Sequence, residues 1–205
     1  TIAHAGAHLV RESAERAIFA ERARQRLGIY VSEEIADLVL ADEGLELGGK
    51  TMQVAVLFSD LRGFTERSEH RDPEMVVREL NNYLDVRVAH IRDEGGLVDK
   101  YIGDAIMAVF GIPFPAKNDA DNAVGTAVDM MRALKVLNRQ FKRRGQEKIK
   151  IGVGINTGDI ITGNIGSMKR MDYTVIGDGV NLSARLESAN KHFGTHIIIS
   201  KSTRD

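Results

Sequence analysis

Two carboxylates occupy positions where catalysis could begin. Asp60 closes the apolar run MQVAVLFSD and is followed by Leu-Arg-Gly-Phe-Thr, and Asp104 sits at the tip of LVDKYIGDAIMAVFG, two apolar runs split by Gly103-Asp104. A carboxylate at the end of a buried strand is costly to desolvate unless something positive neutralises it. A hard cation such as Mg2+ does so with oxygen ligands. The plainer reading is that each is a turn or cap residue. A second cluster lies in TVIGDGVNLSARLE, residues 174–187. On a helix beginning near Gly179, Asn181 and Arg185 are four apart and share a face, while Leu182 and Leu186 fall together on a neighbouring one. A permanently charged, planar guanidinium suits a phosphate, and an amide beside it suits a sugar oxygen. Solvated side chains on an exposed helix face are the alternative. The stretch Gly163-Asn164-Ile165-Gly166-Ser167 also admits two readings, a phosphate cradle or a hairpin turn.

These residues need elements to hold them. Met52 to Asp60 reads as a buried strand by its length and β-branched content, and Pro73 opens a helix that runs to about Glu94. Leu97 to Gly111 reads as a hairpin and Asp119 to Arg144 as a helix ending at Gly145 after three basic residues. Ile149–Asn156 and Ile160–Ile165 are expected as two paired strands, Tyr173–Ile176 as a short strand, Gly179–His192 as a helix and Thr195–Ser200 as a last strand. The order β-α-β-β-α-β with extra elements predicts an α/β (α+β) chain with a ferredoxin-like core. In that arrangement the first two strands are expected side by side at the sheet centre, their ends bringing Asp60 and Asp104 around one point.

Residues 1–50 read as an appendage and 51–205 as the main domain. His8 to Leu27 carries mixed charges, many alanines and no Gly or Pro, with Arg11–Glu15 and Glu12–Arg16 at i,i+4 spacing, so it reads as an exposed helix. It is either a solvated linker or a helix that pairs with its own copy and passes a signal inward. Ser32 is placed to cap a second helix, Glu33 to Leu40, before the turn-rich DEGLELGGK. The chain opens inside a helix without an initiator Met, which reads as a fragment of a longer protein.

Composition excludes several classes. With 28 basic against 29 acidic side chains there is no broad positive surface for nucleic acid or an anionic membrane. With no cysteine there is no disulfide framework, thiolate nucleophile or cysteine-ligated metal, and a cytoplasmic setting is the default expectation. No apolar run reaches the roughly 20 residues of a membrane helix, and the six His show no ligand spacing.

Taken in order and spacing, LFSDLRGFT, DKYIGDAIMAVFG, GINTGDIITGNIG and DYTVIGDGVNLSARLE resemble the catalytic domain of class III nucleotidyl cyclases, the bacterial adenylyl cyclases in particular, over about Leu45 to Ser202. The resemblance implies two Mg2+ or Mn2+ ions on Asp60, Asp104 and the Leu61 carbonyl, with Gly63 and Phe64 beside the bound nucleotide. One ion would acidify the ribose 3′-hydroxyl and the other would hold the departing pyrophosphate. It further implies that Arg185 stabilises charge on the α-phosphoryl group and that Asn181 positions the ribose. No side-chain general base stands out, and Asp60 is the one protein candidate. Lys100 and Thr174 fall on the family's base-reading positions. A Lys only donates, which matches the N1 acceptor of adenine and not the N1 donor of guanine, whereas the Thr174 hydroxyl can donate or accept. ATP is therefore the expected substrate, with a guanylyl cyclase or a catalytically silent nucleotide-binding or dimerisation module as alternatives.

The resemblance also implies a head-to-tail homodimer. One chain would give Asp60 and Asp104, and the other Lys100, Thr174, Asn181 and Arg185, with an upstream sensor or receptor domain acting through the N-terminal helix. Two departures stand out. Asp159 takes a place where some relatives carry a basic residue, and the triphosphate-binding Lys of many relatives would fall beyond Asp205.

Overall fold

The computed structural model describes residues 2–40, 47–69, 71–143 and 145–205. Arg144 and residues 41–46, which hold most of the expected turn-rich connector, lie outside the described residues. Two compact units divide at residue 46, and each is described by itself.

The first unit is a helical hairpin. Helix α1 (Ile2–Val31) exceeds the expected His8–Leu27 at both ends, and α2 (Glu33–Leu40) follows. Ser32 breaks the helix with a φ of 90°, and its hydroxyl accepts from the Ile35 N–H at 3.3 Å, so the expected cap is present. Arg24 and Asp37 join the two helices by an ion pair. Among the described residues, no helix is long and apolar enough to cross a membrane.

The second unit runs β1 (Gly48–Leu61), α3 (Phe64–Ser68), α4 (Pro73–Asp93), β2 (Leu97–Ile102), β3 (Ala105–Phe110), α5 (Asp119–Arg143), β4 (Ile151–Ser167), β5 (Arg170–Ile176), α6 (Asp178–Phe193), β6 (Ile197–Ile199) and α7 (Lys201–Arg204). The sheet order is β2-β3-β1-β4-β5, all antiparallel along this path, with β6 parallel to β4. The strands and helices give the expected ferredoxin-like core.

Two expectations are corrected. The neighbours of β1 are β3 and β4, so β2 lies at the edge and not beside β1 at the centre. Asp104 reaches the end of β1 through the turn into β3, in the register Ser59↔Ile106. Residues 149–165 form no hairpin: β4 is one 17-residue strand. The early start of β1 explains this, because Gly48 to Val54 pair with Asn164 to Gly158 and keep the Thr157-Gly158-Asp159 stretch extended. Gly163 to Ser167 are extended in that strand and paired with β5, and the turn between the two strands falls at Met168-Lys169.

Alternation along β1 sends its residues to two different layers. Ala55, Leu57 and Leu61 enter the main core with Tyr83 and Ile91 of α4 and Ala127, Met130 and Leu134 of α5. Asp60 points to the other face, where α6 packs. That helix lies unusually close to β4, because a Cβ on Gly154 would sit 2.1 Å from the Glu187 nitrogen and 2.3 Å from the Ser183 carbonyl oxygen. Glycine is therefore required there for contact between helix and strand.

Candidate active site

Asp60 is the penultimate residue of β1 and Asp104 the last residue of the β2–β3 turn. The β1–β3 register brings them side by side, with the two carboxyl groups in hydrogen-bonding range. Burial, then the nearby charges of Asp104 and Glu187, push the Asp60 carboxyl up to about 6, against a weaker opposing pull from Lys191. The Asp104 Oδ2 atom is buried without a hydrogen-bond partner.

A buried cation underlies this pair. Arg87 of α4 is 1% exposed and lies in the stripe Tyr83, Arg87, Ile91 that faces the sheet. Its Nη1 donates to the Ser59 carbonyl at 2.9 Å and to Ser59 Oγ at 3.1 Å, and Nη2 donates to the Asp104 carbonyl at 2.8 Å. The guanidinium also stacks over Tyr83, 4.1 Å from the ring centre. One side chain thus holds the backbone just before Asp60 and the backbone of Asp104 itself. Burial works against its charge, and Asp60 and Asp104 support it.

The pair suits a hard divalent ion. Two carboxylates forced together, one with an orphaned oxygen, form an oxygen donor set short of positive charge. Leu61 ends β1 beside Asp60, so its main chain is at hand while its side chain is buried in the core. Among the described residues no three His, Asp or Glu side chains form a metal cage, so Glu187 influences Asp60 without completing one. After Leu61, Gly63 takes a left-handed φ of +68° and turns the chain into α3, where Phe64 packs against the core.

The nucleotide candidates lie elsewhere on the chain. Lys100 follows a bulge in β2, where Asp99 is the residue left out of the pairing with β3. Its Nζ lies 3.3 Å from Asp99 Oδ2, and the Thr174 hydroxyl donates to the same oxygen at 2.9 Å. Strands β2 and β5 are the outermost of the sheet path, so this contact requires the sheet to roll until its edges meet.

Asn181 and Arg185 are exposed on α6, while Ser183, Glu187 and Asn190 line its buried face. Arg185 and Glu187 are two residues apart, about 200° around a helix, so Arg185 points away from the side that meets Asp60. The structure therefore brings Asp60 to Asp104 and Lys100 to Thr174, and leaves Arg185 turned from the carboxylates of its own chain. A groove of about 680 Å3 between α5, Lys148–Lys150 and His196–Ile197 contains none of these six residues.

The family model of the adenylate and guanylate cyclase catalytic domain matches residues 49–205, three quarters of the chain. The chain belongs to this family. The cyclase domain is 39% identical over 165 residues to an adenylate cyclase of Anabaena cylindrica, covering 78% of this chain and 32% of that protein. It is 40% identical over 152 residues to the terminal-differentiation-specific adenylate cyclase of Dictyostelium discoideum, covering 74% of this chain and 7% of that one. The chain thus spans a third or less of these curated relatives. Among solved structures, the adenylyl cyclase CyaB from P. aeruginosa is 42% identical, with a TM-score of 0.70 over 77% of this chain and 81% of that one. The guanylyl cyclase Cya2 is also 42% identical, with a TM-score of 0.69 over 77% and 79%.

Reading the sequence missed three residues. Asp99 was hidden because its partner is 75 residues away. Arg87 carried a signal, a charge in the middle of the apolar i,i+4 stripe of the cyclase domain's α4. Glu187 carried a weaker one, since burial of a polar helix face follows only from the close approach at Gly154.

Two outcomes follow for the cyclase domain. A carboxyl whose folded value is raised favours the fold at low pH, and that contribution is lost as pH rises through about 6. In EDTA, Asp60→Asn should therefore melt above wild type at pH 8, with the gap closing by pH 4; differential scanning fluorimetry across pH checks this. Arg87→Met strands three acceptors and should cost about 3 kcal/mol, a fall in Tm of about 6–12 °C by the same assay.

Proposed function

We propose that this cyclase domain is an adenylyl cyclase that converts ATP to 3′,5′-cyclic AMP and pyrophosphate at two equivalent sites between two copies of the chain, for intracellular signal transduction. The observation that carries the reading is the Asp60–Asp104 pair with its orphaned oxygen, on a chain whose Arg185 faces away from that pair.

Asp60, Asp104 and the Leu61 carbonyl would hold two Mg2+ or Mn2+ ions, with the turn through Gly63 and Phe64 alongside the triphosphate. Bound there, the ions supply acidity at the ribose 3′-hydroxyl and positive charge at the β- and γ-phosphates. The 3′-oxygen attacks the α-phosphorus, the bond to the β-phosphate oxygen breaks, and pyrophosphate carries away the electron pair. Asp60 is the protein's candidate to accept the hydroxyl proton; solvent or the substrate itself can also take it. Arg185 of the second chain stabilises the charge that builds on the α-phosphoryl oxygens, and its Asn181 holds the ribose in line. Lys100 donates to adenine N1. An upstream sensor would act through α1 by changing how the two copies meet.

Overall similarity does not separate ATP from GTP, because CyaB and Cya2 are equally identical to this chain. A guanylyl cyclase is thus the second reading, and Lys100 argues against it, since an ammonium opposes the N1–H of guanine. A silent module is disfavoured because both Asp, the Lys, the Thr, the Asn and the Arg are all present.

Turnover of ATP and GTP with Mn2+ should favour ATP, and a GTP preference would contradict the role of Lys100. Asp104→Ala and Arg185→Ala chains should each be inactive alone. Mixed in equal amounts they should recover about a quarter of wild-type activity, because half the dimers hold one complete site of two. Absence of rescue would contradict shared sites.

A further inference from the structure

We propose that Asp99 is a specificity-determining positioning residue: by accepting the Thr174 hydroxyl proton and anchoring Lys100, it fixes Thr174 as an acceptor and Lys100 as a donor toward the base. The inference rests on the reading of Lys100 and Thr174 as the base-facing pair and deepens it.

The chemistry begins with an ambiguity. A threonine hydroxyl has one proton to give and two lone pairs, so by itself it serves a 6-amino group or a 6-oxo group equally. The surroundings of Thr174 remove that freedom. Thr174 is 6% exposed, and its Oγ1 lies 2.9 Å from Asp99 Oδ2. The Asp99 side chain is fully buried, while that of Lys100 is 43% exposed with its Nζ 3.3 Å from the same oxygen. An ammonium has only donors, so Oδ2 must accept from it, and it accepts from the hydroxyl as well. With its single proton committed to Asp99, Thr174 presents only lone pairs outward. The Lys100 ammonium, with one donor spent on Asp99, keeps two to offer.

The outward face of this triad is therefore one acceptor beside one donor. Adenine presents the complement, a 6-amino donor beside the N1 acceptor. A 6-oxopurine presents the reverse at both atoms, and an acceptor facing O6 leaves two oxygens opposed without a proton. The β2 bulge makes the arrangement possible. Because Asp99 is the unpaired residue between Val98 and Lys100, its side chain is free to reach Thr174 across the rolled sheet. Asp99 touches no substrate atom in this reading and acts through its two neighbours.

The test compares ATP with inosine triphosphate, which differs only in carrying O6 and N1–H in place of the amino group and bare N1. Steady-state kcat/KM is measured with Mn2+ for the wild-type chain, Asp99→Asn and Thr174→Val, after thermal melting of each. The amide of Asn is nearly isosteric and can itself donate to Thr174, which frees the hydroxyl proton to point outward. Asp99→Asn is expected to lower the ATP-to-ITP ratio by about tenfold, roughly one hydrogen bond's worth of discrimination. The change should combine a loss on ATP with a gain on ITP. Thr174→Val should lower the ratio similarly, and the double variant should fall no further. A ratio within twofold of wild type in folded Asp99→Asn overturns the proposal. Retention of the ratio in Thr174→Val overturns it too, and that result stands even if the Asn variant fails to fold. A wild-type chain that turns over neither ATP nor GTP would instead defeat the adenylyl cyclase reading, so the two failures are distinguishable.

Discussion

The rest of the catalytic unit is arranged around one unfavourable contact, two carboxylates held side by side at the end of a sheet. Burial raises the cost of ionising Asp60, and the charge of Asp104 beside it adds to that cost. The backbone ladder between β1 and β3 supplies the restraint from within the sheet, and Arg87 supplies it from below by gripping Ser59 and Asp104 at once. A site strained in this way has a built-in demand for positive charge. In the proposed function that demand is met by divalent ions, so that a nearly neutral chain would take a polyanionic substrate without a basic surface.

The second constraint is the roll of the sheet. A flat five-strand path would keep β2 and β5 far apart, yet Asp99 and Thr174 are in hydrogen-bond contact. The length of β4 permits this, since its first half pairs with the core of β1 and its second half carries β5 away on a curved ribbon. Lys100 and Thr174 are gathered around Asp99, and Asp60 lies beside Asp104, as two groups on one chain. Arg185 is turned from Asp60 as well, and the proposed two-chain site would join these separate groups.

Much of this was legible in the sequence where a residue type and its immediate neighbours were sufficient. Asp60 stands out because it ends an apolar run, Asp104 because a Gly-Asp pair splits two others, and Ser32 because a cap has a local signature. The order of strands and helices was readable for the same reason. What escaped depended on distant pairing. Thr157-Gly158-Asp159 has the composition of a turn, and only the early start of β1 across the sheet keeps it extended. Asp99 looks like an ordinary charge beside Lys100 until the bulge and the curvature deliver Thr174 to it. Glu187 looks solvated until the bare Cα atoms of Gly152 and Gly154 let the helix settle onto the sheet.

In the proposed dimer the carboxylate pair of one chain and the Lys100–Thr174 pair of another meet over one nucleotide. A crystal structure of the chain with Mn2+ and a non-reacting ATP analogue tests it most directly. The expected result is metal on Asp60 and Asp104 of one protomer and adenine against Lys100 and Thr174 of its partner, with the Thr174 hydroxyl still bonded to Asp99. Metal and base held by the same protomer, or metal bound away from Asp60 and Asp104, would contradict it.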